Sequence, residues 1–101
     1  MNRADLVAYL NAAGYAPCIV LPTGEIAGVM PMIFTTGLFV GLTSDAWRTR
    51  YCYERREDAV AALDAWDGRD DPPGPWIKVK GHPGGERLGP GALMDDDKET
   101  P

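Results

Sequence analysis

The sequence holds one histidine, one serine and two cysteines, and each scarcity closes off a class of chemistry. A catalytic nucleophile needs its base within hydrogen-bond reach, so two or three such groups must converge. Here His82 lies in Gly81-His82-Pro83-Gly84-Gly85 and Ser44 in the turn-forming Thr43-Ser44-Asp45. The first reads as a solvated loop residue and the second as a turn former or cap, so no catalytic residue is assigned. A zinc site takes four ligands at recognisable spacings. Cys18, Cys52 and His82 are single and far apart in the chain, so no metal ligand and no cofactor is assigned. The glycine-rich run 81–89 lacks the Gly-Lys-Ser/Thr ending of a phosphate-binding loop. Asp67, Asp70 and Asp71 lack the alternating donors and closing glutamate of a calcium loop, and read as a solvated acidic loop.

Long apolar runs are missing too. A spanning helix needs roughly 20 apolar residues, whereas the longest run, 27–34, is interrupted by Pro31. No membrane partner is expected. Met1-Asn2-Arg3-Ala4-Asp5 leads into an amphipathic segment rather than the apolar core of a secretion signal. The expected compartment is therefore the cytoplasm. There Cys18 and Cys52 read as buried free thiols, with a disulfide across neighbouring strands or metal binding as the alternatives.

What is present suffices for one domain. A chain of 101 residues, 45% hydrophobic and 25% charged, has the composition of an ordinary globular protein. It buries roughly 60 to 65% of its unfolded surface, enough for a core without staples. The net charge of −5 is unevenly spread: residues 1–80 contribute −2 and residues 81–101 contribute −3. Within the body, residues 47–56 carry four arginines against Glu54, while residues 57–71 carry six acids against Arg69. This polarity can steer an anionic partner, although a charged solvent face on a strand needs no partner to explain it.

Hydrophobic spacing predicts the elements. Asn2 caps a helix over residues 3–13 with Asp5 in its first turn, Leu6, Val7 and Leu10 on one stripe, and Gly14 closing it. Residues 18–21 and 26–34 form strands joined by the turn Pro22-Thr23-Gly24-Glu25, with Gly28 and Pro31 marking a bulge or an exposed edge. Gly37, available for positive φ, leads into a strand at 38–42, and residues 47–53 alternate with period two as a fourth strand. There Trp47, Thr49, Tyr51 and Tyr53 share one side, and Arg48, Arg50 and Cys52 the other. A second helix follows at 57–66, with Val60, Leu63 and Trp66 inward.

The expected fold is α+β: a four-stranded antiparallel meander with both helices packed on its aromatic face, in the order α-β-β-β-β-α. Trp76-Ile77-Lys78-Val79-Lys80 is a candidate short fifth strand, or an extended segment pinned by Trp76. The domain spans 1–80, and residues 81–101, rich in glycine, proline and acids, are expected to be a flexible tail without secondary structure. The opposite sheet face would then present Arg48 and Arg50, with Trp76, Lys78 and Lys80 extending a candidate binding surface. Basic and aromatic side chains interleaved in this way suit phosphates and bases, but a pI near 4.6 disfavours nucleic acid.

The run Trp47-Arg48-Thr49-Arg50-Tyr51-Cys52-Tyr53, the helix ending Ala65-Trp66-Asp67-Gly68, the segment Pro72-Pro73-Gly74-Pro75-Trp76-Ile77-Lys78-Val79-Lys80-Gly81 and the later Arg87-Leu88-Gly89-Pro90-Gly91 resemble small uncharacterised phage and prophage proteins. The resemblance covers the C-terminal half and implies a setting, not an activity. A three-stranded sheet followed by a helix is also similar to the arm-binding domains of phage integrases, which place a sheet against DNA. The function expected is a small non-enzymatic interaction module of phage or prophage type. It would bind a protein partner, or itself as a homo-oligomer, through the open sheet face or an edge. The alternatives are nucleic-acid binding by the basic strand face and a hydrolase with an unrecognised site.

Overall fold

The computed structural model describes residues 2–81 and 87–90. Two helices, α1 (Arg3–Ala12) and α2 (Arg56–Ala65), flank a sheet of six strands: β1 (Cys18–Val20), β2 (Ile26–Pro31), β3 (Thr36–Val40), β4 (Thr49–Tyr53), β5 (Lys78–Gly81) and β6 (Arg87–Leu88). The strands lie in sequence order and every pairing is antiparallel. The α+β meander expected from the spacing is therefore present, with two strands added beyond the fourth. The fifth strand is real, and its partner β6 falls where no secondary structure was expected. Gly81 ends β5, so the ordered chain passes the boundary placed at residue 80. His82 and the rest of 82–86 and 91–101 lie outside the described residues.

Each helix starts for a local reason. Asn2 Oδ1 accepts the Asp5 N–H at 2.8 Å, as a capping asparagine should. Helix α2 has no side-chain cap, but Glu57 and Asp58 in its first turn place negative charge where unpaired N–H groups accumulate. The β1–β2 turn closes with Gly24 N–H donating to Leu21 O at 2.8 Å, and Gly24 takes φ +97°, the conformation for which glycine is suited.

The helices sit on opposite faces of the sheet, not on one. Ala27, Val29, Leu38, Val40, Tyr51, Tyr53 and Val79 point to one side and join Ala59, Ala62 and Leu63 of α2, with Leu21, Trp66 and Trp76 completing that cluster. Ile26 and Phe39 point to the other side and meet Leu10 of α1, Cys18 and Leu42, with Leu6, Val7, Tyr15, Met30, Met32 and Trp47 packed around them. The physical reason lies in β2 and β3. Their apolar residues do not alternate with polar ones, and residues 26–29 and 36–40 are buried throughout. Strands apolar on both sides need a cover on both sides.

Two smaller expectations change with this. β2 is an interior strand, flanked by β1 and β3, and Pro31 only ends it. Gly28 marks a close approach: a Cβ there would lie 3.0 Å from Tyr15 Cβ. Gly37 is inside β3 with no positive φ, and a Cβ on it would lie 2.5 Å from Phe39 Cε1, so its missing side chain lets the Phe39 ring lie flat on the sheet.

Candidate functional site

On the α1 side, the pairing registers align Cys18, Gly28, Phe39, Arg50 and Lys80 in one row across β1 to β5. Helix α1 packs against β1 and β2 and covers only the first part of this row. Beyond Phe39 no helix among the described residues lies over this face, and the row continues as Arg50, half-buried, and Lys80, exposed. A parallel row sets Cys52 opposite Lys78 and Lys78 opposite Leu88. Among the described residues, the sheet is thus covered by helices on both faces at one end and on one face only at the other.

Aromatic rings fill the boundary between the two regions. Tyr15 meets Phe39 edge-on with centroids 5.3 Å apart, and Phe39 meets Trp47 at 5.4 Å and 76°. The Arg50 guanidinium carbon lies 5.4 Å from the centroid of the Trp47 ring, a cation–π arrangement. Beside this file, between α1 and the β3–β4 loop, runs a cleft of about 310 Å³ lined by Tyr9, Leu10, Tyr15, Ser44, Asp45 and Trp47, among others.

Among the described residues, the Tyr9 and Tyr15 hydroxyls and the Trp47 indole N–H have no hydrogen-bond partner. On the α2 side every comparable group has one. Trp66 Nε1 donates to Arg69 O at 2.9 Å and Trp76 Nε1 to Pro72 O at 3.2 Å, while the hydroxyls of Tyr51 and Tyr53 donate to Asp71 Oδ1 at 2.9 Å and Pro73 O at 2.7 Å. Buried tyrosine and tryptophan normally satisfy their polar ends, and rings with one wet end are enriched at interfaces.

Arg50 and Lys80 face each other across β4 and β5, and among the described residues neither meets a carboxylate. Arg50 Nε is buried without a partner. Like charges directly opposite on neighbouring strands destabilise a sheet, so an anion arriving there would relieve repulsion as well as gain attraction.

The five residues singled out from the sequence separate accordingly. Arg50, Lys78 and Lys80 share the open face. Arg48 does not join them, because β4 begins only at Thr49 and Glu25 takes the Arg48 side chain in a two-pronged ion pair, with nitrogen–oxygen distances of 2.6 to 3.0 Å. For the same reason Trp47 falls on the α1 side rather than with Tyr51 and Tyr53. Trp76 is 5% exposed on the α2 side, 5.2 Å from the Tyr51 ring, and cannot contribute to the basic surface. Tyr9, Tyr15 and Trp47 were missed as surface groups. Tyr9 carries the readable signal, a large aromatic off the apolar stripe of α1 and 49% exposed.

The other chemical candidates have local roles. Asp71 accepts from Tyr51 and from Arg87 at 3.0 Å, and Asp67 accepts the Arg69 N–H at 2.8 Å, so these loop acids tie the 66–76 segment down. The hydrogen bond from Arg87 is the main reason the Asp71 carboxyl is held below the usual carboxylate range. Among the described residues no three His, Cys, Asp or Glu side chains gather as metal ligands would. Cys18 and Cys52 are free and buried, three strands apart, and burial pushes the Cys18 thiol up to about 11. No helix among the described residues is long and apolar enough to cross a membrane. Compared with protein-family models, with curated proteins and with solved structures, the chain matches none.

Proposed function

We propose that this chain is a non-enzymatic interaction module that binds an acidic protein segment on the open half of its sheet. An apolar side chain of the partner enters the cleft between Tyr9, Tyr15 and Trp47, and neighbouring carboxylates meet Arg50 and Lys80. The observation that carries this reading is the contrast in polar satisfaction: Tyr9, Tyr15 and Trp47 line one cleft with polar ends that meet no partner among the described residues, and Arg50 stacks on the Trp47 ring beside it. Tyrosine, tryptophan and arginine are also the residues that dominate binding energy at protein interfaces. The setting is that of a phage or prophage protein, as the resemblance of its C-terminal half implies, acting in the cytoplasm with both thiols reduced.

The face is favoured over the edges. β1 has three residues, and the Asn11 side-chain amide donates to the Cys18 carbonyl at 3.3 Å, which blunts that edge against strand addition. Ile33 and Phe34 stand 89% and 91% exposed at the β2–β3 turn. They are two side chains only, short of the several hundred Å² that a docking patch presents.

Nucleic-acid binding by the same cations is the second reading, favoured by Arg50, Lys78 and Lys80 sharing one face. It is weakened by the inward Trp76 and by the ion-paired Arg48. Fluorescence anisotropy separates the two. A labelled peptide with one leucine flanked by aspartates is expected to bind the full chain, to lose at least about tenfold in affinity with Arg50→Glu/Lys80→Glu, and to outcompete a labelled single-stranded oligonucleotide. Binding of the oligonucleotide alone, with an affinity falling steeply as salt rises, would replace the first reading by the second.

A further inference from the structure

We infer that a second copy of this chain supplies the occupant of the aromatic cleft. The Ile33–Phe34 hairpin tip of one copy enters between Tyr9, Tyr15 and Trp47 of another, and Glu54 beside the tip meets Arg50 and Lys80. The inference rests on the reading of that cleft and its cations as a binding surface, and it names the partner.

The tip is built to project. Pro31 pairs with Thr36, and Met32 N–H donates to Thr35 O at 2.8 Å, so Ile33 and Phe34 are the two end residues of the β2–β3 hairpin. Such two-residue turns favour Asn-Gly and similar pairs, because their central residues take positive φ. Neither Ile33 nor Phe34 has positive φ, and neither is a turn-forming residue, so local geometry gives no reason for them. They are also the most exposed large apolar side chains among the described residues, at 89% and 91%, with Leu88 next at 63%. A pair this small is no docking patch in itself, but it makes an anchor that a cleft of about 310 Å³ can take in. The closed hairpin holds it in place beforehand, which lowers the ordering cost of insertion.

Charge matches across the same contact. Tyr53 pairs with Thr36, so Glu54 follows beside the hairpin tip, one strand spacing of about 5 Å away. Among the described residues Glu54 meets no cation: Arg55 pairs with Glu57 at 3.5 Å, and Arg56 donates to Ala16 O at 3.0 Å. The cleft presents the reverse. At its rim Arg50 lies over the Trp47 ring and faces Lys80, and neither cation meets a carboxylate among the described residues. An apolar tip with an anion at its side therefore answers an aromatic cleft with cations at its side.

The two halves cannot meet within one chain. The tip precedes β3 and the 43–47 side of the cleft follows it, roughly 15 Å away along the strand. The contact is thus between copies and heterologous: antiparallel copies close as a pair with two contacts, whereas copies in one direction extend as a row.

The test uses two variants of the full chain that each keep one half of the contact. Ile33→Ser/Phe34→Ser removes the tip and leaves the cleft, while Trp47→Ala removes a cleft wall and leaves the tip. The isotope-labelled tip variant is titrated with unlabelled Trp47→Ala, and the Trp47 indole N–H signal is followed by NMR. That signal is expected to shift saturably, with a dissociation constant of about 0.1 to 1 mM, as for a small interface. It should stay in place when the titrant is the unlabelled tip variant, and the affinity should fall at least about threefold when Glu54→Lys is added to the Trp47→Ala titrant. No shift with the Trp47→Ala titrant, an equal shift with the tip variant, or no effect of Glu54→Lys would overturn the second copy as occupant. The aspartate-flanked leucine peptide separates this failure from a failure of the site. If the peptide shifts the Trp47 signal and the Trp47→Ala chain does not, the cleft still binds and only its occupant is wrong; if neither does, the reading of the cleft falls as well.

Discussion

The two sides of this sheet hold similar inventories of aromatic side chains and treat them in opposite ways. Tyr51, Tyr53, Trp66 and Trp76 lie under α2 and the 66–76 segment, each at most 8% exposed, each donating a hydrogen bond within the chain. Tyr9, Tyr15 and Trp47 border α1, half-buried or exposed, with no such bond among the described residues. Burying a ring contributes in proportion to area, and leaving its polar end unpaired costs nothing only where water or a ligand can reach it. The first set is therefore core and the second is surface built from core-like material. Under the proposed function, the second set stays outside to meet a partner.

Truncation should separate the two sets, and the largest effect is expected from the enclosed one. Trp76→Ala or Tyr53→Ala removes a ring buried against several others and leaves an unpaired carbonyl at Pro72 or Pro73. Each should cost about 3 to 5 kcal/mol in urea unfolding, a large part of the roughly 5 to 15 kcal/mol available to a domain. Trp47→Ala should cost only about 1 kcal/mol, since half-burial carries half of the roughly 1.5 to 3 kcal/mol of a large apolar side chain. Acidic-peptide affinity should show the reverse order, with Trp47→Ala losing at least about tenfold. If Trp47→Ala destabilised the fold as much as Trp76→Ala, the α1-side rings would be a second core and not a binding surface.

This asymmetry was partly legible in the chain. The period-two pattern of 49–53 correctly put Tyr51 and Tyr53 opposite Arg50 and Cys52, because an alternating strand has one covered and one open face. The continuous apolar runs at 26–29 and 38–40 carry equally good information: without alternation, both faces need a cover. Trp47 and Arg48 escaped because alternation was extended two residues beyond the start of pairing, across a bend at Gly41, where φ is +71°. The pairing of Arg48 with Glu25 joins residues 23 positions apart and depends on the β1–β2 turn coming close to the end of β3, which no local pattern encodes. β6 was missed because two residues between glycines and prolines carry no period at all.

A medium effect is expected at high pH. Burial pushes the Tyr53 and Tyr51 phenols well above their usual range, and for Tyr51 the hydrogen bond to Asp71 adds to it. A group whose folded value is raised contributes stability that is complete below its unfolded value, about 10 for tyrosine, and is lost as pH rises through the folded value. Cys18, raised to about 11 by burial, acts with the same sign from about pH 9 upward, so the comparison belongs in a Cys18→Ala background. There the urea midpoint should fall steadily above pH 10, and Tyr53→Phe should flatten that fall while costing about 1 kcal/mol at neutral pH. An alkaline limb that survives in Tyr51→Phe/Tyr53→Phe would show that the enclosed rings do not govern it.

The smallest expected effect bears most directly on how the open face is composed. Arg48 and Glu25 form a well-aligned pair, but their side chains are 41% and 33% exposed, and surface pairs contribute about 0 to 1 kcal/mol. A double-mutant cycle with Arg48→Ala and Glu25→Ala should therefore find a coupling below about 1 kcal/mol that shrinks with salt. So weak a tie still holds one cation away from Arg50 and Lys80, which meet no carboxylate among the described residues. Glu25→Gln releases Arg48 while leaving the fold within about 0.5 kcal/mol, and acidic-peptide affinity should rise by about twofold at low salt. If instead affinity is unchanged and stability drops by several kcal/mol, Glu25 fastens the β1–β2 turn to the sheet, and the proposed binding face begins at Arg50 whatever the state of Arg48.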